Sequence, residues 1–83
     1  MPWDERFESV VRANVPVLGA DQPLSPTASL YDLGLDSMGT IQLLLDLEET
    51  FGVTFPDDAL KPVVFATPGR LWQVVHELEA SHA

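Results

Sequence analysis

The residue best placed to do chemistry in this chain is Ser37, within Leu33-Gly34-Leu35-Asp36-Ser37-Met38-Gly39-Thr40. A glycine-containing approach delivers its hydroxyl to the start of an apolar helical pattern that runs without interruption to Phe51. A serine at an N-cap or in a first turn lies near the surface, at the positive end of the helix dipole. Unpaired backbone N–H groups there would meet an anion such as a phosphodiester. That placement suits a hydroxyl that serves as an attachment point. Hydrolysis is a second chemistry open to a serine. Gly34-Leu35-Asp36-Ser37-Met38-Gly39 is one residue off the G-x-S-x-G nucleophile elbow, but that elbow needs a preceding strand, and none is expected. The only histidines, His76 and His82, lie in and beyond the last helical pattern. Asp32, Gly34 and Asp36 share residue types with a calcium loop but lack its spacing and its closing glutamate. The plainest structural alternative makes Ser37 only the cap of a helix in an acidic adaptor. No catalytic residue and no metal ligand is assigned.

The elements that must position Ser37 follow from spacing. Pro2 and Asp4 open a first helix, with Phe7, Val10, Val11 and Asn14 at three- to four-residue intervals. Pro16 disfavours helical geometry at Val15 and ends it, with Val17 and Leu18 closing the core. A long connection from Gly19 to Asp36 holds Pro23, Ser25 and Pro26 in its first half, and Leu24, Leu30, Tyr31, Leu33 and Leu35 pin it to the core. The second helix runs from Ser37 to Phe51 and stops at Gly52. A short third helix starts at Pro56-Asp57-Asp58 and is ended by Pro62. Thr67 and Pro68 mark the N-cap and first position of a last helix that frays after Glu79. Its apolar face carries Leu71, Val74, Val75 and Leu78. No stretch alternates as a strand does. The expectation is an all-α four-helix bundle, three longer helices and one short, with a long loop between the first two.

The second helix carries two apolar stripes. Leu43, Leu44, Leu47 and Phe51 cluster on one side of the wheel, with Thr40 among them, and form the core face. Met38, Ile41 and Leu45 cluster roughly 120–150° away, counting about 100° per residue, and are rimmed by Gln42, Glu48 and Glu49. Either this central helix packs on both sides, or the second stripe docks a partner. Trp3 and Trp72 have two readings as well, as interface anchors or as partial core.

Composition limits the partners. The chain has 83 residues, a size for one domain with a modest core. Its hydrophobic content of 46% opposes disorder. Thirteen acidic residues against four basic ones give a formal net charge of −9, which opposes nucleic-acid binding and favours partners with basic surfaces. There is no cysteine, so no disulfide and no thiolate chemistry. No apolar run is long enough to span a membrane. The acidic start Met1-Pro2-Trp3-Asp4-Glu5 is unlike a secretion signal, so a cytoplasmic monomer is expected.

These residues resemble a known family. Asp32-Leu33-Gly34-Leu35-Asp36-Ser37-Met38 is similar to the phosphopantetheine-attachment motif of acyl and peptidyl carrier proteins. The resemblance runs from about Leu30 to Leu78. It takes in Leu47-Glu48-Glu49-Thr50-Phe51-Gly52-Val53, Phe55-Pro56-Asp57-Asp58 and the Thr67-Pro68 helix start. It implies a single carrier domain over residues 1–83 that is no enzyme but a covalent substrate shuttle. Ser37 would receive a 4′-phosphopantetheine arm from coenzyme A through a Mg²⁺-using phosphopantetheinyl transferase, helped by Asp36. The arm's thiol would hold cargo as a thioester. Met38, Gly39, Ile41, Gln42, Leu45, Glu48 and Glu49 would form the partner-docking surface.

Fatty-acid carriers usually hold more acidic residues where this chain has Gly39 and Gln42. Asp36-Ser37-Met38-Gly39-Thr40-Ile41-Gln42-Leu43-Leu44 is more similar to stand-alone D-alanyl carriers and to discrete aminoacyl carriers of natural-product pathways. Gly39 would leave room for an adenylating enzyme's loop or for the arm. Ala59 to Phe65 differs from the D-alanyl pattern. The resemblance therefore implies an aminoacyl or β-aminoacyl carrier of a polyketide or nonribosomal-peptide type of pathway, served by adenylating ligases and by aminoacyl- or acyl-transferring enzymes. The alternatives are an acyl or malonyl carrier of polyketide or fatty-acid synthesis, and a D-alanyl carrier for cell-wall modification.

Overall fold

The computed structural model describes residues 3–15, 17–19 and 21–82. Three α-helices appear in chain order: α1 over Glu5–Asn14, α2 over Ser37–Phe51 and α3 over Pro68–His82. Among the described residues there is no strand. The architecture is all-α, and one expectation needs correction. The segment read as a short third helix forms two 3-10 turns, Asp57–Ala59 and Pro62–Phe65. Pro62 does not simply stop a helix; it sits at the first position of the second turn. Two prolines within seven residues leave too few consecutive N–H donors for a stable α-helix, and short 3-10 pieces result. The bundle therefore has three α-helices, with the turns in the place of a fourth.

Each helix start has a local cause. In α1 the Asp4 carboxylate accepts from Arg6 N–H, and Arg6 N–H groups return two side-chain bonds to it. The roles given to Pro2 and Pro16 fall outside the described residues. α2 closes on Gly52, whose φ of 64° is the left-handed conformation that glycine adopts without a Cβ penalty. Thr67 Oγ1 accepts from Arg70 N–H at the head of α3. That helix runs on to His82, beyond the expected fraying at Glu79.

The core joins all three helices. Phe7, Val11 and Val15 from α1, Leu43 and Leu47 from α2, and Leu71 and Val75 from α3 are buried with Leu24, Leu30 and Leu35 of the long loop. Both tryptophans belong to it. Trp3 is buried and Trp72 is half-buried, and the two rings flank Phe7 at centroid distances of 5.5 and 5.2 Å. Trp3 Nε1–H donates to Glu8, and Arg12 donates to the other Glu8 oxygen, each at 3.0 Å. These donors, the indole first, hold the Glu8 carboxyl below its ordinary value. Arg12 also donates to the carbonyls of Gly19 and Gln22, tying down the start of the long loop. Leu18 packs against the core, whereas Val17 is exposed.

The long loop is fastened at its far end too. Leu30 N–H donates to Ala66 O at 2.8 Å, and Gly69 N–H donates to Pro26 O at 3.0 Å. A Cβ on Gly69 would lie 2.9 Å from that same oxygen, so only glycine lets the loop approach α3 this closely. Leu30, Leu33 and Leu35 then form a hydrogen-bonded turn that passes through Gly34, at φ 102°, and delivers the chain to Asp36. These fastenings replace regular structure in a connection of this length and fix the direction from which Ser37 arrives.

Candidate functional site

Ser37 is the first residue of α2, and Asp36 is its N-cap. Both are exposed. Asp36 Oδ1 accepts Gly39 N–H at 2.7 Å, and the Asp36 carbonyl accepts both the Thr40 N–H and the Thr40 hydroxyl at 2.8 Å. The Ser37 and Met38 N–H groups have no intrahelical partner by helix geometry. An anion at Ser37 would therefore meet a helix start that one carboxylate already caps.

Gly39 is explained by this cap. A Cβ there would lie 3.1 Å from Asp36 Oδ1 and 3.3 Å from Leu35 Cδ1. The space beside Gly39 is filled from within by the capping carboxylate and a core methyl. A side chain at Gly39 would need these neighbours to give by a few tenths of an ångström, which is a structural reason for the glycine besides the room suggested by the sequence.

The second apolar stripe is out in solvent. Met38, Ile41 and Leu45 are 82%, 59% and 51% exposed, so α2 is not packed on both sides. Gln42 and Glu49 are exposed beside them. Glu48 behaves differently. It is half-buried, and its Oε2 accepts Phe55 N–H at 2.8 Å, holding the chain that follows Gly52. Glu48 is thus a structural acceptor, which its place on the helical wheel did not reveal.

Beside Ser37 lies an open groove of about 630 Å³. One wall is α2, through Ser37, Thr40, Ile41 and Leu44; the other is the pair of 3-10 turns, through Leu60, Lys61, Pro62 and Phe65. Tyr31 lines it as well, and its hydroxyl donates to Pro62 O at 2.9 Å, tying the loop that delivers Ser37 to the second wall. Leu60 and Val63 add exposed apolar surface on the turns. Sequence reasoning missed this second wall. Its only signal was an apolar pair flanking Pro62 in a segment with no helical period. Among the described residues no cluster of three or more metal-ligating side chains occurs, and His76 is exposed on α3 with its ring 5.6 Å from Trp72.

Comparison with known proteins agrees with this geometry. The family model described as "Phosphopantetheine attachment site" matches residues 9–74. The chain belongs to that family. It is a carrier protein, a covalent substrate shuttle with 4′-phosphopantetheine as its prosthetic group. Two solved structures from Bradyrhizobium japonicum are similar to this carrier. One is glycine:[carrier protein] ligase complexed with its cognate carrier protein and an analogue of glycyl adenylate. It has 29% identity and a TM-score of 0.70, over 89% of this chain and 99% of that one. The other is the same ligase complexed with glycylated carrier protein, at 26% identity and a TM-score of 0.67, over 86% of this chain and 99% of that one.

The residues present fit the prosthetic group. An exposed hydroxyl at a helix start would supply the ester oxygen, and the adjoining groove is lined by apolar side chains together with Thr40 and Lys61. No helix is long and apolar enough to cross a membrane among the described residues.

Proposed function

We propose that this protein carries an amino acid on Ser37 and presents it to partner enzymes. The observation that carries the reading is the likeness, at 29% identity over nearly the whole of both chains, to the carrier bound by a glycine ligase. Ser37 Oγ takes the phosphopantetheinyl group of coenzyme A. A new P–O bond forms at the hydroxyl, the pyrophosphate bond of coenzyme A breaks, 3′,5′-ADP leaves and the hydroxyl proton is lost to solvent. When bound, the group supplies a flexible thiol whose thioester is activated for acyl transfer. Ser37 keeps that tether exposed, and Asp36 holds the start of α2 rigid beneath it while offering a carboxylate to the transferase and its Mg²⁺.

Met38, Ile41 and Leu45 form the apolar centre of the docking surface, and Gln42 and Glu49 form its polar rim. The stripe begins one residue after the tether, so an enzyme that seats on it receives the arm at its own active site. An acidic carrier of net charge −9 is steered to ligases and transferases with basic docking surfaces. A natural-product assembly line is the pathway context implied by the sequence resemblance, and the acidic, cysteine-free composition favours a cytoplasmic monomer.

The test is loading. The phosphopantetheinylated protein is incubated with ATP, glycine and the glycine:[carrier protein] ligase, and then with other small amino acids and adenylating enzymes. An intact-mass gain of one aminoacyl group, released by hydroxylamine, supports the reading. A chain that accepts malonyl or longer acyl groups from transferases and no amino acid from any adenylating ligase refutes it.

A further inference from the structure

The four cations of this chain are not equivalent. Arg6 pairs with Asp4 at 3.2 Å, and Arg12 pairs with Glu8 at 3.0 Å while bonding two loop carbonyls. Arg70 makes no ion pair among the described residues either, and it lines a separate hollow together with Asp58 and Glu77, away from Ser37. Lys61 is the fourth and the only lysine. It is exposed, makes no ion pair among the described residues, and lines the same groove as Ser37. Lys61 is therefore the only Lys or Arg that lines the groove beside Ser37, and no carboxylate is paired with it among the described residues.

Charge at the tether gives that ammonium a partner. Modification of Ser37 adds a phosphodiester anion next to Asp36, whose Oδ1 is already committed to Gly39 N–H. The added charge stands beside a carboxylate, and Lys61 is the cation on the facing wall. The backbone that carries Lys61 is held in place. Its carbonyl accepts Val64 N–H at 3.0 Å, and the adjoining Pro62 carbonyl accepts the Tyr31 hydroxyl. A lysine is a compact charge on a flexible stem, which suits a single phosphate oxygen approached across a groove.

We propose that Lys61 is an arm-positioning residue. Its ammonium holds the phosphodiester on Ser37 and lays the branched alkyl part of the arm in the groove against Ile41, Leu44 and Phe65. The proposal rests on the reading of Ser37 as the attachment point. It assigns the arm a docked state in the free carrier, from which a partner must draw it out. The contact is solvent-exposed, so it weakens as salt screens it.

A single lysine makes the test direct. Protein grown with isotope-labelled lysine gives one lysine side-chain signal, recorded before and after modification by coenzyme A and a promiscuous transferase, with conversion checked by intact mass. The expected result is a displaced Lys61 Cε–Hε signal on modification, a displacement that shrinks at high salt. The ³¹P signal of the modified protein should also narrow and move in Lys61→Gln, and the Ile41 and Leu44 methyl shifts caused by modification should fade in that variant. A fully modified chain with an unmoved Lys61 signal and a ³¹P signal identical in Lys61→Gln overturns the proposal alone. A chain whose mass never changes overturns the Ser37 reading and the proposal with it.

Discussion

Asp36 caps α2 and is proposed to assist the transferase, and substitution can pull the two apart. Its carboxylate makes one capping bond, Oδ1 to Gly39 N–H at 2.7 Å, while its carbonyl separately holds Thr40. Asp36→Ala removes the first and leaves the second. An N-cap bond is worth about 1 kcal/mol. The site is exposed, so water satisfies the freed N–H and no burial penalty is added. For a domain of this size, about 1 kcal/mol corresponds to a fall in Tm of about 4–8 °C. Asp36→Asn keeps an acceptor of the same shape, and asparagine caps about as well as aspartate, so its Tm should stay within a degree or two, about a few tenths of a kcal/mol. Both variants lose the charge that the proposed function assigns to the transferase reaction, so both should be phosphopantetheinylated more slowly. Thermal and urea denaturation read the first effect, and time-resolved intact mass reads the second. An Asn variant as destabilised as the Ala variant would show that charge on the α2 dipole, not the cap bond, supplies the stability. An Asn variant modified at the wild-type rate would remove Asp36 from the transferase reaction.

Three further outcomes are expected. Glu8 is held below its ordinary value of 4.5 by Trp3 and Arg12. Its contribution is therefore present above that value and is lost as pH falls through the lower folded value. The wild type should lose stability on acidification below about pH 4.5, and Glu8→Gln should flatten that loss in urea titrations at successive pH values. Met38→Ala with Ile41→Ala, or Glu49→Lys, should leave Tm nearly unchanged and slow loading by partner ligases. Glu48→Lys should instead lower stability by about 1–3 kcal/mol, because the half-buried Phe55 N–H loses its acceptor; wild-type loading rates in the stripe variants would remove the docking surface.

Much of this was legible in the sequence where a residue acts on its near neighbours. Asp36-Ser37 and Gly52 bound α2, and Thr67-Pro68 starts α3, because caps and stops are matters of a few adjacent dihedrals. The exposed stripe of Met38, Ile41 and Leu45 was visible as a second apolar side on a helix that needs only one. What was not legible depends on the approach of distant segments. Glu48 looks like a solvent-facing residue until Phe55, seven residues on, turns back to it. Gly39 gains a structural reason only when the Asp36 carboxylate and Leu35 methyl are seen to crowd the place of a Cβ. The Pro56–Phe65 segment has no period to read, because its turns are three and four residues long. The groove wall that it builds, Lys61 included, appears only when Tyr31 ties the loop across it.

Intact-mass analysis tests the proposed role of Ser37 as the tether. The purified protein and Ser37→Ala are each incubated with coenzyme A, Mg²⁺ and a promiscuous phosphopantetheinyl transferase. The wild type should gain one phosphopantetheinyl group, located on Ser37 by fragmentation, and the variant should fold and gain none. A wild-type chain that stays unmodified, or a Ser37→Ala chain that is still modified, contradicts that role.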